Sequence, residues 1–105
     1  MTHNPSDIPQ VTHDPARHRF EARVSSGMAV LSYAPVSPKV LELYSTQVPE
    51  PDRGHGVGAR LVEAAVEYAR AEGVRIIPTC WYVAQWLREH PEHGDLVAGG
   101  QRERQ

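Results

Sequence analysis

From His18 the chain alternates between its two kinds of side chain: Phe20, Ala22 and Val24 are apolar, while Arg19, Glu21 and Arg23 between them are charged. Successive strand side chains point to opposite faces, so the pattern predicts a half-buried strand. Ser25-Ser26-Gly27 predicts a hairpin turn and Met28 to Tyr33 a second strand. Ala34-Pro35-Val36-Ser37-Pro38-Lys39 is expected to be loop, because two prolines remove donors that a ladder needs. Val40 to Val48 predicts the third and longest strand, with Val40, Glu42, Tyr44, Thr46 and Val48 on one face. Leu41, Leu43, Ser45 and Gln47 fall on the other.

The period then lengthens. From about Gly56 to Glu72, Val57, Leu61, Ala64, Ala65 and Tyr68 form one stripe of a helix, and Arg60, Glu63, Glu67 and Arg70 the opposite one. Gly73 suits the position just past its end. Val74 to Ile77 predicts a short strand, and the strand–helix–strand order implies parallel pairing through a right-handed crossover. Pro78-Thr79 breaks that strand, with Thr79 the expected N-cap of a helix running from Cys80 or Trp81 to Glu89. Its apolar stripe is Val83, Trp86 and Leu87, Pro91 ends it, and Glu92 to Val97 adds a last packed turn. Met1 to Arg17 carries Pro5, Pro9 and Pro15 without an apolar period and predicts a mobile lead-in, so the domain is expected over 18–97, followed by a solvated tail. The fold class is α/β (α+β), with a mixed, mostly antiparallel sheet.

Length and charge narrow the partners. The 105 residues support one domain, and a net charge of −2 gives no general attraction to nucleic acid or to anionic membranes. One cysteine makes no internal disulfide. With no apolar run near the roughly 18 residues of a membrane span and no secretory leader pattern, a cytoplasmic protein is expected.

The densest chemistry lies between the third strand and the first helix, in Gln47-Val48-Pro49-Glu50-Pro51-Asp52-Arg53-Gly54-His55-Gly56-Val57-Gly58-Ala59. Glycines let backbone approach a ligand, and the first N–H groups of a helix have no intrahelical partners. An anion placed there meets several donors and the positive helix end, and Arg53 adds a planar fork of donors. Strand-to-helix turns also use glycine merely to bend. The hexad Arg53 to Gly58 matches Arg/Gln-x-x-Gly-x-Gly/Ala, and with the Val48-Pro49 lead-in, the helix of Leu61 to Arg70, and Ile77-Pro78-Thr79-Cys80 before a helix ending at His90-Pro91-Glu92, the chain resembles the small, single-domain GNAT N-acetyltransferases. The likeness runs from Phe20 to Val97.

That resemblance implies acetyl-CoA as cosubstrate, an amine as acceptor and no metal. It assigns the pyrophosphate to Arg53, Gly54, His55, Gly56, Val57, Gly58 and Ala59, with His55 turned to solvent. Gln47 and Val48, at the end of a splayed strand, would offer backbone groups to the acetyl and pantetheine moieties. Glu42, or Tyr44 on the same strand, stands where such enzymes often carry a base, and Tyr82 where a general acid is often found. A histidine often precedes the strand threonine in these short proteins, whereas this chain has Ser45-Thr46.

Cys80, at a strand's carboxyl end and a helix start, is a candidate nucleophile, because that potential favours the thiolate. Read plainly, it is a small buried hydrophobe. Glu42 and Tyr82 have equally plain readings, as a solvated strand residue and a packing residue. His3, His13 and His18 are too loosely spaced for a metal and are expected in solvent, and the pair His90 and His93 lacks a third ligand. Trp81 and Trp86 are expected to pack.

Gly54-His55-Gly56-Val57-Gly58-Ala59 also fits the dinucleotide fingerprint Gly-x-Gly-x-x-Gly/Ala. Against it, four residues separate the strand from the first glycine, and no acidic residue closes Val74 to Ile77. The alternatives to an acetyltransferase are therefore a non-catalytic acyl-CoA-binding module or a partner-dependent subunit, and more remotely a dinucleotide binder. Only Ser25-Ser26-Gly27 stands where larger relatives wall the acceptor pocket, which suits a protein or peptide amine, or a partner that completes the site.

Overall fold

A computed structural model describes residues 10–98. Among them, five strands lie side by side in the order in which the chain makes them: β1 (Val11–Asp14), β2 (Arg19–Val24), β3 (Gly27–Ser37), β4 (Val40–Gln47) and β5 (Arg75–Pro78). The first four pair antiparallel, and β4 pairs parallel with β5 across helix α1 (Val57–Glu72). Helix α2 (Trp81–Glu89) and a 3-10 turn (Pro91–Leu96) follow. The expected mixed α/β sheet with its parallel crossover is the observed one.

Every buried sheet side chain comes from one face: Phe20 and Ala22, Ala29, Leu31 and Tyr33, Leu41 and Leu43, and Ile76. Helix α1 covers it with Val57, Leu61, Val62, Ala65, Val66 and Ala69, a stripe centred further round than the pattern alone suggested. Val83, Trp86 and Leu87 of α2 and Leu96 complete the core. Val97 bridges to Ile76, whose carbonyl accepts from the Ala98 amide at 2.8 Å. No helix among the described residues is long and apolar enough to cross a membrane.

Four expectations need correction. Val11–Asp14 is a strand, not part of a mobile lead-in, because His13 packs as an aromatic: its ring stacks on Phe20 at 4.3 Å, meets the edge of Tyr68 at 4.5 Å, and its Nε2 lies 2.6 Å from the Tyr33 hydroxyl. His13 is therefore not simply solvated, whereas the expectations for Met1 to Pro9, including His3, and for 99–105 lie outside the described residues. Strand β3 continues through Pro35, because beyond Tyr33, whose amide bonds to the His18 carbonyl at 3.0 Å just before β2, it pairs only with β4 and a proline on the free side costs no ladder bond.

The third correction concerns phase. Ser32 pairs with Ser45 and Tyr33 with Leu43, leaving Tyr44 as an extra residue. Such a bulge shifts the strand's alternation by one. Thr46, opposite buried Leu31, thus shares the face of Leu41 and Leu43, not that of Glu42. Lastly, Trp81 is 72% exposed, whereas Trp86 packs as expected and stacks on His90 at 3.8 Å.

Candidate functional site

Strands β4 and β5 part at Leu43 and Pro78, their last pair. Proline cannot continue the ladder, so the chain turns: the Thr79 amide bonds back to the Ile77 carbonyl at 3.0 Å, and the Cys80 amide reaches the Leu43 carbonyl at 3.0 Å. From there Ser45, Thr46 and Gln47 keep β3 on one side and no strand on the other. A cavity of about 560 Å³ opens in that gap. The end of β4, the glycine loop with the start of α1, and the start of α2 form its walls.

Gln47, Val48, Arg53, Gly54, Gly56, Val57, Gly58, Cys80 and Tyr82 all line this cavity, so most of the residues singled out from the sequence come together. His55, Ala59 and Glu42 are outside its lining. Thr46, Asp52 and Trp81 join it without having been singled out as site residues. The bulge hides Thr46 from simple alternation, and nothing local in the sequence marks Asp52. An aromatic directly after Cys80 at a helix start is a usable signal for Trp81.

The three glycines are required for two different reasons. Gly54 and Gly56 both hold φ at 84°, a left-handed conformation that glycine adopts without strain, and a Cβ on either would meet nothing within 4 Å. Their backbone shape, not crowding within the protein, requires them. Gly58 has the opposite reason: a Cβ there would lie 3.0 Å from ring atoms of Tyr82, so α1 and α2 can approach at their N-terminal ends. Gly56 caps α1 without a side-chain hydrogen bond, and the first turn holds no acidic residue. The leading amides are thus open to an anion.

Arg53 is exposed and its Nε donates to the Val48 carbonyl at 2.9 Å. Asp52 reaches the opposite way, to the β2–β3 turn. Its Oδ1 accepts from the Ser25 hydroxyl at 3.0 Å, and its Oδ2 accepts from the Ser26 amide at 3.2 Å and from the Ser26 hydroxyl. The Ser26 hydroxyl above all, supported by Ser25 and the Ser26 amide, holds this carboxyl below the ordinary range.

Cys80, not Thr79, occupies the N-cap position of α2. The Thr79 hydroxyl donates instead to Glu42 Oε2 at 2.6 Å, which anchors Glu42 to the turn preceding Cys80. The Cys80 sulfur lies 3.5 Å from the Thr46 hydroxyl oxygen. Burial pushes the thiol up, but the Thr46 hydroxyl and the amides of Val83 and Tyr82 outweigh it, so the thiolate forms more readily than usual. Those amides make no capping bond to the thiol as it stands. Burial, then Glu89 and Cys80, push the Tyr82 phenol up, so it keeps its proton and remains a donor at neutral pH.

Among the described residues no three His, Cys, Asp or Glu side chains are grouped to hold a metal. The open amides, Arg53 and a cavity of this volume fit a phosphorylated carrier with a narrow arm, such as acyl-CoA.

Comparison with known proteins agrees with the motif reading. The profile of the GCN5-related N-acetyl-transferase family matches residues 19–96. Protein NATD1 of Xenopus tropicalis is 34% identical over 90 residues, covering 84% of this chain and 83% of that protein. Human NATD1 is 33% identical over 84 residues, 78% of this chain and 74% of its own length. The NMR solution structure of a GCN5-like protein from Staphylococcus aureus shares the fold with a TM-score of 0.69 at 22% identity, over 90% of this chain and 93% of that one.

Proposed function

The chain belongs to the GCN5-related N-acetyltransferase family, and on that premise we propose that it binds acetyl-CoA in the β4–β5 cavity and transfers the acetyl group to an amine. One observation carries this reading. The N-terminus of α1, uncapped by any side chain and free of acidic residues in its first turn, faces a cavity that continues to Cys80 and Tyr82. Arg53 and the backbone of Gly54 to Ala59, with His55 at the rim, would hold the pyrophosphate. Gln47 and Val48 would lie along the pantetheine arm.

Acetyl-CoA supplies an acyl group already activated as a thioester. The protein's share is orientation and proton handling. Tyr82, protonated at neutral pH, is the donor proposed for the departing thiolate. Glu42, fixed by Thr79 and outside the lining of the cavity, is the proposed acceptor of the amine's proton through water. The site has a wide mouth with Trp81 on its rim, which suits an amine carried on a protein or peptide, or a partner subunit that closes it. The reaction belongs, in this reading, to the cytoplasm.

A second reading has a specific observation in its favour. The readily formed thiolate of Cys80 lines the cavity, and in this reading the acyl group passes first to that sulfur, a new S–C bond forming as the bond to the CoA sulfur breaks and the CoA thiolate leaves. Calorimetric titration with acetyl-CoA, CoA and NAD, followed by intact mass after acetyl-CoA incubation, tests both readings. Binding of the two CoA species and not NAD supports the site. An added acetyl mass that Cys80→Ala abolishes supports acyl transfer to sulfur. CoA binding with no turnover of any amine leaves an acyl-CoA-binding module, and no CoA binding overturns the proposal.

A further inference from the structure

Asp52 is one of the residues lining the cavity assigned above to an anion, which brings a negative charge near that site. Like charges repel, so a free carboxylate at that place would oppose the ligand. Its oxygens are not free. Oδ1 takes the Ser25 hydroxyl at 3.0 Å, and Oδ2 takes the Ser26 amide at 3.2 Å together with the Ser26 hydroxyl. All three donors belong to the β2–β3 turn, remote in sequence.

Beyond the bonds of its own turn, from the Asp52 amide to the Pro49 carbonyl at 2.9 Å and from the Arg53 amide to the Glu50 carbonyl at 3.1 Å, the segment has little else to hold it. The 3-10 turn Glu50–Asp52 buries no residue and has no side-chain cap. Gly27, without a side chain, offers Pro49 little apolar surface, and a Cβ added there would lie 3.6 Å from the proline ring. Arg53, the next residue, is held from the other side by the Val48 carbonyl. Polar bonds, not packing, therefore set where the glycine loop begins.

We propose that Asp52 is a positioning residue for the cofactor loop: by gripping Ser25 and Ser26 it fixes the lead-in to Arg53 and Gly54, so that the loop meets a pyrophosphate already ordered. The inference rests on the acetyl-CoA reading. Ordering the loop during folding removes that cost from binding, which raises affinity without a new contact to the ligand.

The sign of one measurement separates this role from simple electrostatics. Removing a carboxylate from beside an anion tightens binding if charge alone counts, whereas losing the grip weakens it. Acetyl-CoA affinity is measured by calorimetry for Asp52→Ala and, from the other side of the contact, for the double variant Ser25→Ala, Ser26→Ala. Each is expected to bind about tenfold more weakly. The combined variant should be no weaker than either, because both sides belong to one interaction. Asp52→Asn, which keeps one acceptor oxygen, should recover part of the loss.

S-acetyl-pantetheine, which lacks the pyrophosphate, serves as the control, its binding followed by NMR shifts at millimolar concentration. It should bind the variants as it binds the wild type, with the thermal midpoint kept. Unchanged or tighter acetyl-CoA binding by Asp52→Ala overturns the proposal. So do additive losses, or an equal loss for S-acetyl-pantetheine, which would mean general damage to the fold. Wild-type protein that ignores acetyl-CoA overturns the cofactor reading itself and the positioning role with it, an outcome distinct from a selective loss in the variants.

Discussion

Helix α1 begins and ends on a glycine of nearly the same backbone shape, φ 84° at Gly56 and 69° at Gly73, yet the polar groups at its two ends are treated in opposite ways. At the carboxyl end the amides of Gly73 and Val74 both bond to the Ala69 carbonyl, the latter at 2.9 Å, and Val74 is buried. That end is closed. At the amino end no side chain caps the first amides, and they face a cavity. A left-handed glycine at a helix boundary thus says only that the chain turns sharply. Whether the neighbouring polar groups are used up decides between a structural stop and a binding site.

Substitution breaks the comparison most forcefully at the open end. Gly56→Val forces a β-branched residue into a left-handed backbone, at a strain of about 1–3 kcal/mol, unless the loop changes shape. Acetyl-CoA affinity should then fall on the order of 100-fold by calorimetry, with far-UV circular dichroism of a folded protein. An unaltered affinity would mean that the amino end of α1 holds no phosphate. Gly73→Ala tests the closed end. It should lower stability by about 1 kcal/mol, roughly 4–8 °C in the thermal midpoint, and leave acetyl-CoA affinity as it was. Weakened binding there would show the two ends to be coupled.

The subtlest effect concerns the other open helix start, that of α2. Cys80 has a folded-state pKa below the usual thiol value, so its thiolate appears at lower pH than that of a free cysteine. The rate of iodoacetamide alkylation should accordingly rise with pH at a lower midpoint than for a free thiol. Thr46→Val removes the hydroxyl 3.5 Å from the sulfur and should move the midpoint upward. A profile indifferent to that change would assign the effect to the helix amides alone.

How much of this could be read in the sequence depends on whether a feature is periodic. The alternation of Phe20, Ala22 and Val24 and the helical stripe around Leu61 and Ala65 repeat often enough to reveal themselves, and they correspond to β2 and α1. Strand β1 is too short for a period, and the residue that anchors it, His13, counts as polar in the sequence although Phe20 stacks on it and Tyr68 meets it edge-on. The bulge at Tyr44 inverts the phase of everything after it, so alternation sent Thr46 to the wrong face. The glycine loop was readable because a fixed spacing of unusual residues marks it. Asp52 and the serines it grips were not, since their bond joins turns 26 residues apart and leaves no local pattern. Residue type alone marks Thr79 as the cap, but α2 starts at Trp81, which puts Cys80 in the cap position and leaves the Thr79 hydroxyl on Glu42.

The order of the strands bears on how the chain reaches this structure. Each strand lies beside its predecessor in sequence, and only the step from β4 to β5 spans a helix. Contacts between near neighbours need little loop closure, which favours folding in milliseconds over the slower routes of sheets with distant pairings. During synthesis the four-stranded meander would be complete before α1 emerges, so the ribosome would release a sheet whose apolar face still waits for its helix. The glycine turn after β4 then separates an early-folding half from a late one, and the cavity forms last, at the seam between them.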